Sequence, residues 1–178
     1  MTLPDATIRL DSLFPAPASI ALVTGPSGSG KTALCLRVIQ AAWTAGLSVT
    51  GVVCPGKYDE TGIRIGIDLL DPLTDKRWPL ATAKASPAEA GSRWDFLPES
   101  LASGAALLAA SGSCDLLVID ELGPLELLEG QGWVNALDVL HAQHYDRALV
   151  VVRPRLLDVL KARLAPLPMH VVRLPEQP

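Results

Sequence analysis

Long apolar runs are missing from this chain. None reaches the roughly 18 residues that a membrane span requires, so no membrane partner is expected. Basic clusters are missing too: Lys76-Arg77 is the only adjacent pair, and 15 Lys and Arg stand against 19 Asp and Glu, a net charge of −4. That balance does not neutralise a phosphate backbone, and no nucleic-acid partner is expected. Cysteines are scarce. Cys35, Cys54 and Cys114 are odd in number and far apart, which suits buried small side chains in a reduced compartment better than a disulfide framework or a metal site. The first 18 residues carry Pro4, Asp5, Asp11, Pro15 and Pro17, unlike an export signal, so a cytoplasmic location is expected. Repeats, low-complexity tracts and convincing linkers are also absent, and residues 1–178 are expected to form one domain. What the chain does have is apolar content, 49% of residues and a mean hydropathy of +0.30, enough to exclude disorder and fill a layered core.

The most informative stretch is Gly25-Pro26-Ser27-Gly28-Ser29-Gly30-Lys31-Thr32. It matches the phosphate-binding loop pattern G-x-x-x-x-G-K-[ST] at every fixed position. Residues 19–24 before it are apolar and β-branched, as in a buried parallel strand. After it Ala33, Leu34, Leu36, Val38, Ile39 and Ala42 recur at helical spacing up to Gly46, a C-cap residue. Glycines let the backbone approach phosphate oxygens, successive amides form an anion nest, and the helix N-terminus adds partial positive charge. Lys31 is placed to span the β- and γ-phosphates of a nucleoside triphosphate, and the Thr32 hydroxyl to ligate Mg²⁺.

Turn signals and periodicity divide the remainder. Residues 7–10 form a weak edge-strand candidate, and residues 49–54 a buried strand closed by Pro55-Gly56. Residues 57–61 read as a turn. Residues 62–70 and 76–82 read as an antiparallel hairpin around Asp71-Pro72-Leu73-Thr74-Asp75. Residues 84–98 read as a mobile loop. Helices are expected over 99–110, 132–144 and 155–164, and strands over 115–120, 148–153 and 169–174. Alternation of this kind predicts an α/β fold, a mostly parallel sheet with helices on both faces and the hairpin at one edge.

The strand at 115–120 carries the second chemical signal: Leu116-Leu117-Val118-Ile119 ends in Asp120 and Glu121. A buried strand delivers its terminal carboxylate rigidly to the sheet edge that bears the glycine loop. Asp120 is the candidate Mg²⁺ residue beside Thr32, and Glu121 the candidate base that orients the attacking water.

The run Ile119-Asp120-Glu121-Leu122-Gly123-Pro124-Leu125-Glu126-Leu127 resembles the D-E-[IL]-G-x-[ML]-E-[LF] signature of the small P-loop nucleoside-triphosphatases typified by a thermophile enzyme and a human cancer-related one. Gly62-Ile63-Arg64-Ile65-Gly66-Ile67 resembles that family's G-x-R-x-G-F segment, with Ile67 replacing the aromatic. The resemblance spans about residues 21–173. It implies a RecA-like, three-layer P-loop fold and Mg²⁺-dependent hydrolysis of ATP, GTP and other nucleoside triphosphates. It carries the phosphate cradle to Gly25 through Thr32, the metal role to Asp120 and the base role to Glu121, and it brings Glu126 into the site region, where capping of the following turn is the alternative role. Two departures bear on base recognition. Gly91-Ser92-Arg93-Trp94-Asp95-Phe96 stands where family members have G-[KR]-Y-x-V, and the asparagine-arginine turn after the last strand is missing.

Arg64, Arg93 and Arg153 are each candidates to neutralise charge on the γ-phosphate, weighed against ordinary surface or ion-paired roles. Trp94 is a candidate for base stacking or for anchoring its loop. His141 and His144 share a helix face at a spacing that also suits a metal. Two other functions share the glycine loop: a P-loop kinase, and a nucleotide-binding adaptor of the molybdenum-cofactor-maturation type with little turnover. Glu121 beside Asp120 favours hydrolysis over transfer, since a kinase needs an acceptor pocket and an arginine-rich lid, and residues 84–98 contain only Arg93. Protein partners are not legible from these features.

Overall fold

In the computed structural model, which describes residues 9–16, 19–84 and 93–176, the apolar run before the glycine loop is strand β1 (Ser19–Thr24), buried at every position. It lies inside a five-stranded parallel sheet with β2 (Val49–Val52), β7 (Cys114–Leu122), β8 (Tyr145–Val152) and β9 (Met169–Arg173). The strand order is β2-β7-β8-β1-β9. Helices on both faces explain why these strands read as continuous apolar runs rather than alternating ones.

Along β1, Ile20 and Leu22 point to one core, and Ala21 and Val23 to the other. Helix α2 (Lys31–Thr44) covers the second face with Cys35, Val38, Ile39 and Ala42, a stripe at helical spacing. The short α1 (Leu10–Leu13) leads to Phe14, buried in the same cluster. Helices α3 (Pro98–Ala109), α4 (Asn135–Ala142) and α5 (Leu157–Leu164) cover the first face through Leu108, Ala136, Leu140, Leu160 and Leu164. The layers α2, sheet, and α3-α4-α5 make the expected three-layer α/β architecture.

A second, antiparallel sheet has the order β3-β4-β5-β6: Gly56–Tyr58, Arg64–Asp71, Lys76–Ala83 and Trp94–Phe96. Its centre is the expected hairpin, whose turn is held by Asp71. That carboxylate accepts the Leu73 N–H at 2.9 Å and the Thr74 hydroxyl at 2.6 Å. A bridge between Val53 and Leu70 joins it to the end of β2. Ile67, Leu69 and Leu80 share the core cluster of the large sheet.

Several expectations are corrected. Leu10 begins a helix rather than ending an edge strand, and Thr7 and Ile8 lie outside the described residues. The turn expected over 57–61 begins inside β3, because Gly56 and Lys57 pair with Ile67 and Gly66. The loop expected over 84–98 contains β6, which pairs with residues 81–83; positions 85–92 lie outside the described residues. The helix expected over 132–144 is only Asn135–Ala142, since Gly132 takes φ +66°. A single wide π-type turn, Leu125–Glu129, follows β7 and had no sequence signal.

Candidate active site

The loop 25–30 leaves β1 and enters α2, whose N-cap Gly30 has φ +85°, with Gly28 at +80°. Side chains rarely tolerate that backbone region, so both positions require glycine. Gly25 is constrained by space: a Cβ there would sit 2.7 Å from Ser29 Oγ and 2.8 Å from the Leu174 carbonyl. Lys31 Nζ donates back to the loop carbonyls of Gly25 at 2.9 Å and Pro26 at 2.6 Å. The Ser29 and Thr24 hydroxyl oxygens are buried there without a hydrogen-bond partner among the described residues.

β7 reaches the same rim. Val23 of β1 is level with Val151 of β8, and Ile119 of β7 is level with Val150. The β7–β8 register shifts between Ile119 and Leu122, so Asp120 and Glu121 sit in an irregularity, a device that re-aims side chains near functional sites. The peptide bond joining them is cis.

Asp120 is 2% exposed. Its carboxylate accepts the Cys54 N–H at 3.2 Å. Burial pushes its pKa up from 3.8 to about 6, against the lowering effects of the Cys54 N–H, the Thr32 side chain and the Arg64 charge, with the neighbouring Glu121 charge raising it further. Around it, burial and the charges of Asp120, Glu121 and Glu126 push the Cys54 thiol well up, so the thiol stays neutral. The structure therefore brings Lys31, Thr32, Asp120 and Glu121 to one rim.

Whether this donor set suits Mg²⁺ can be read from its chemistry. A hydroxyl and a buried carboxylate are the hard oxygen ligands that cation takes, usually one or two from protein with phosphates supplying others. Among the described residues no group of three or more His, Cys, Asp or Glu side chains could hold a metal ion, so nucleotide oxygens would have to complete the shell. The residues fit.

Glu121 is paired with Arg153, Nε to Oε1 at 2.5 Å, with side-chain exposures of 29% and 50%. The guanidinium carbons of Arg64 and Arg93 lie 5.0 and 5.1 Å from the Trp94 ring centroid, and the charge of Arg64 acts on Asp120 and Cys54. Arg93 also donates to the Arg64 carbonyl at 3.1 Å. Arg64 Nε is buried with no hydrogen-bond partner among the described residues. A Cβ at Gly56 would lie 2.7 Å from that Nε and 2.9 Å from the Tyr58 ring, so bare glycine opens the slot. Trp94 thus carries two guanidiniums over its ring.

Glu126 turns into the protein. Its Oε2 accepts the Gly123 N–H at 2.9 Å and its Oε1 the Trp133 N–H at 3.2 Å, clamping both ends of the π-type turn. His141 Nε2 is engaged by the Arg163 carbonyl at 2.9 Å, tying α4 to α5. Sequence reasoning missed Cys54, whose backbone N–H supports Asp120 across 66 residues; no local pattern announces such a contact.

A family model described as NTPase matches residues 20–172. The chain belongs to this NTPase family. Membership makes it an enzyme of the hydrolase class, with a P-loop NTPase fold. Among curated relatives, nucleoside-triphosphatase THEP1 of Methanopyrus kandleri is 29% identical over 154 residues, covering 80% of this chain and 84% of that protein. THEP1 of Ignicoccus hospitalis is 36% identical over 105 residues, 59% of each chain. THEP1 of Caldivirga maquilingensis is 30% identical over 124 residues, 69% of each. The crystal structure of THEP1 from the hyperthermophile Aquifex aeolicus shares the fold at a TM-score of 0.60 and 15% identity, covering 88% of this chain and 90% of that one.

Proposed function

We propose that this member of the NTPase family hydrolyses nucleoside triphosphates to diphosphate and phosphate with Mg²⁺, using Glu121 to orient and deprotonate the attacking water. Support comes chiefly from the sheet register, which brings the end of β7 with Asp120 and Glu121 to the rim where the glycine loop leaves β1, with Thr32 near enough to act on the Asp120 carboxylate. Loop amides from Gly25 to Lys31 cradle the phosphates. The ammonium of Lys31 exchanges the Gly25 and Pro26 carbonyls for β- and γ-phosphate oxygens. Thr32 and Asp120 are the residues that would hold Mg²⁺, which neutralises charge developing on the phosphates when bound. Glu121, one residue on and partly exposed, is free of the burial that holds Asp120. It accepts the proton of the water whose oxygen attacks the γ-phosphorus as the bond to the β-bridging oxygen breaks.

Broad tolerance of the base is part of this reading, because the site described is all phosphate chemistry. The test is phosphate release from ATP, GTP, CTP and UTP, with Mg²⁺ and with chelator, and no added acceptor. Release that depends on Mg²⁺ is expected with each nucleotide. Tight binding without release would instead indicate the adaptor function, and release only with an acceptor would indicate a kinase.

A further inference from the structure

The proposed base is not idle in this structure: its oxygen Oε1 is taken by Arg153. A guanidinium on one of the carboxylate's two oxygens fixes its orientation and competes with a water for that oxygen. Arg153 is the first residue after β8, and β8 lies between β1 and β7. Its side chain therefore starts between the glycine loop and the Asp120–Glu121 irregularity. The backbone there is fixed on both sides. β8 pairs with β7 as far as Val152, and the Arg153 carbonyl accepts the Leu156 N–H at 2.9 Å, closing the short 3₁₀ turn Pro154–Leu156 whose Leu156 is buried. Only the side chain, half exposed, is at liberty to move.

We infer that Arg153 is a γ-phosphate sensor that exchanges partners, holding Glu121 while the site lacks a γ-phosphate and leaving it for the γ-phosphate of a bound triphosphate, which frees the base only when there is something to hydrolyse. This rests on the nucleotide site of the proposed function. A partly exposed carboxylate–guanidinium pair is weakly held. A terminal phosphoryl group offers three acceptor oxygens and more negative charge, in a geometry that the planar guanidinium meets with two parallel hydrogen bonds. The competing arginines lie over Trp94, Arg93 also holding the Arg64 carbonyl, and the charge of Arg64 acts on Asp120. Arg153 alone of the three candidates is bonded to the residue whose release matters.

The test separates triphosphate from diphosphate affinity, measured by calorimetric titration with the β,γ-imido analogue of ATP and with ADP, both with Mg²⁺. Arg153→Ala is expected to weaken the triphosphate analogue about tenfold, the scale of one charge-assisted hydrogen bond, and to leave ADP within about twofold. Arg153→Lys should recover part of the loss. Glu121→Gln should bind the triphosphate analogue a few-fold more tightly with ADP unchanged, because Arg153 then has no ion pair to leave. That gain should vanish in the Arg153→Ala background. Equal effects on both nucleotides, no effect on either, or a Glu121→Gln gain that persists without Arg153 would each overturn the partner exchange. Wild-type protein that binds both nucleotides but releases no phosphate would instead overturn the hydrolytic function, which the affinity ratio does not address.

Discussion

Replacing Asp120 with Asn removes a carboxyl group whose ionisation the fold opposes. In the native protein without metal that group has a pKa of about 6 against an ordinary 3.8, mainly through burial. The native state thus holds the proton more tightly than the unfolded chain, so Asp120's contribution to stability is complete below about pH 4 and is lost as pH rises through about 6. A difference near 2 units at 1.36 kcal/mol each makes the full loss about 3 kcal/mol. Asn cannot lose it. It also has one acceptor oxygen where Asp120 uses its carboxylate for both Cys54 N–H and Thr32, a deficit of about 1 kcal/mol that does not vary with pH. The informative quantity is therefore the change with pH in the stability gap between Asp120→Asn and wild type. By urea denaturation in chelating buffer, that gap should move by about 2 kcal/mol in favour of the variant between pH 4.5 and 7.5, and then level off. In thermal melts the same shift is about 4–8 °C for a chain of this size. Adding Mg²⁺ with nucleotide at pH 7.5 should reverse the order, since only the carboxylate form binds the cation. A gap that stays constant over that pH range, or moves the other way, would show that Asp120 is not held by burial as described.

Lys31→Ala should weaken nucleotide binding and lower turnover together, by roughly 100-fold in kcat/KM, checked by titration and phosphate release. Retained kcat/KM would remove Lys31 from the phosphate site. Glu121→Gln should lose no nucleotide affinity, binding triphosphate at least as tightly as wild type, while kcat falls by about 100- to 10,000-fold, the range for loss of a positioned general base; turnover at the parent rate would mean that Glu121 is not the base. Glu126→Ala orphans the Gly123 and Trp133 N–H donors and should destabilise the protein by about 2–4 kcal/mol in denaturant titrations. A cost under about 0.5 kcal/mol would indicate that water replaces the clamp.

The sequence by itself determined the parts of this protein that depend on local pattern. The glycine spacing from Gly25 to Gly30, the apolar run into Asp120 and the helical stripe Cys35, Val38, Ile39 and Ala42 each follow from what one segment can do alone. Together they were enough to place the glycine loop and the acidic strand end in a parallel α/β sheet. Tertiary structure decided everything that needs a partner from elsewhere. Strands β3 and β6, three residues each, exist because β4 and β5 offer edges to pair with. The Glu121–Arg153 pair spans 32 residues and the Arg64 contact with Trp94 joins β4 to β6, which β5 separates, so neither leaves a periodic trace. Glu126 shows the division most clearly. Its motif marks it as part of the site region, yet Gly132 at φ +66° brings the Trp133 N–H around to its carboxylate, and that turn makes it a clamp. Periodicity encodes which side of an element faces a core, whereas the identity of the residue across the gap is set only when strand order and register close the space around it.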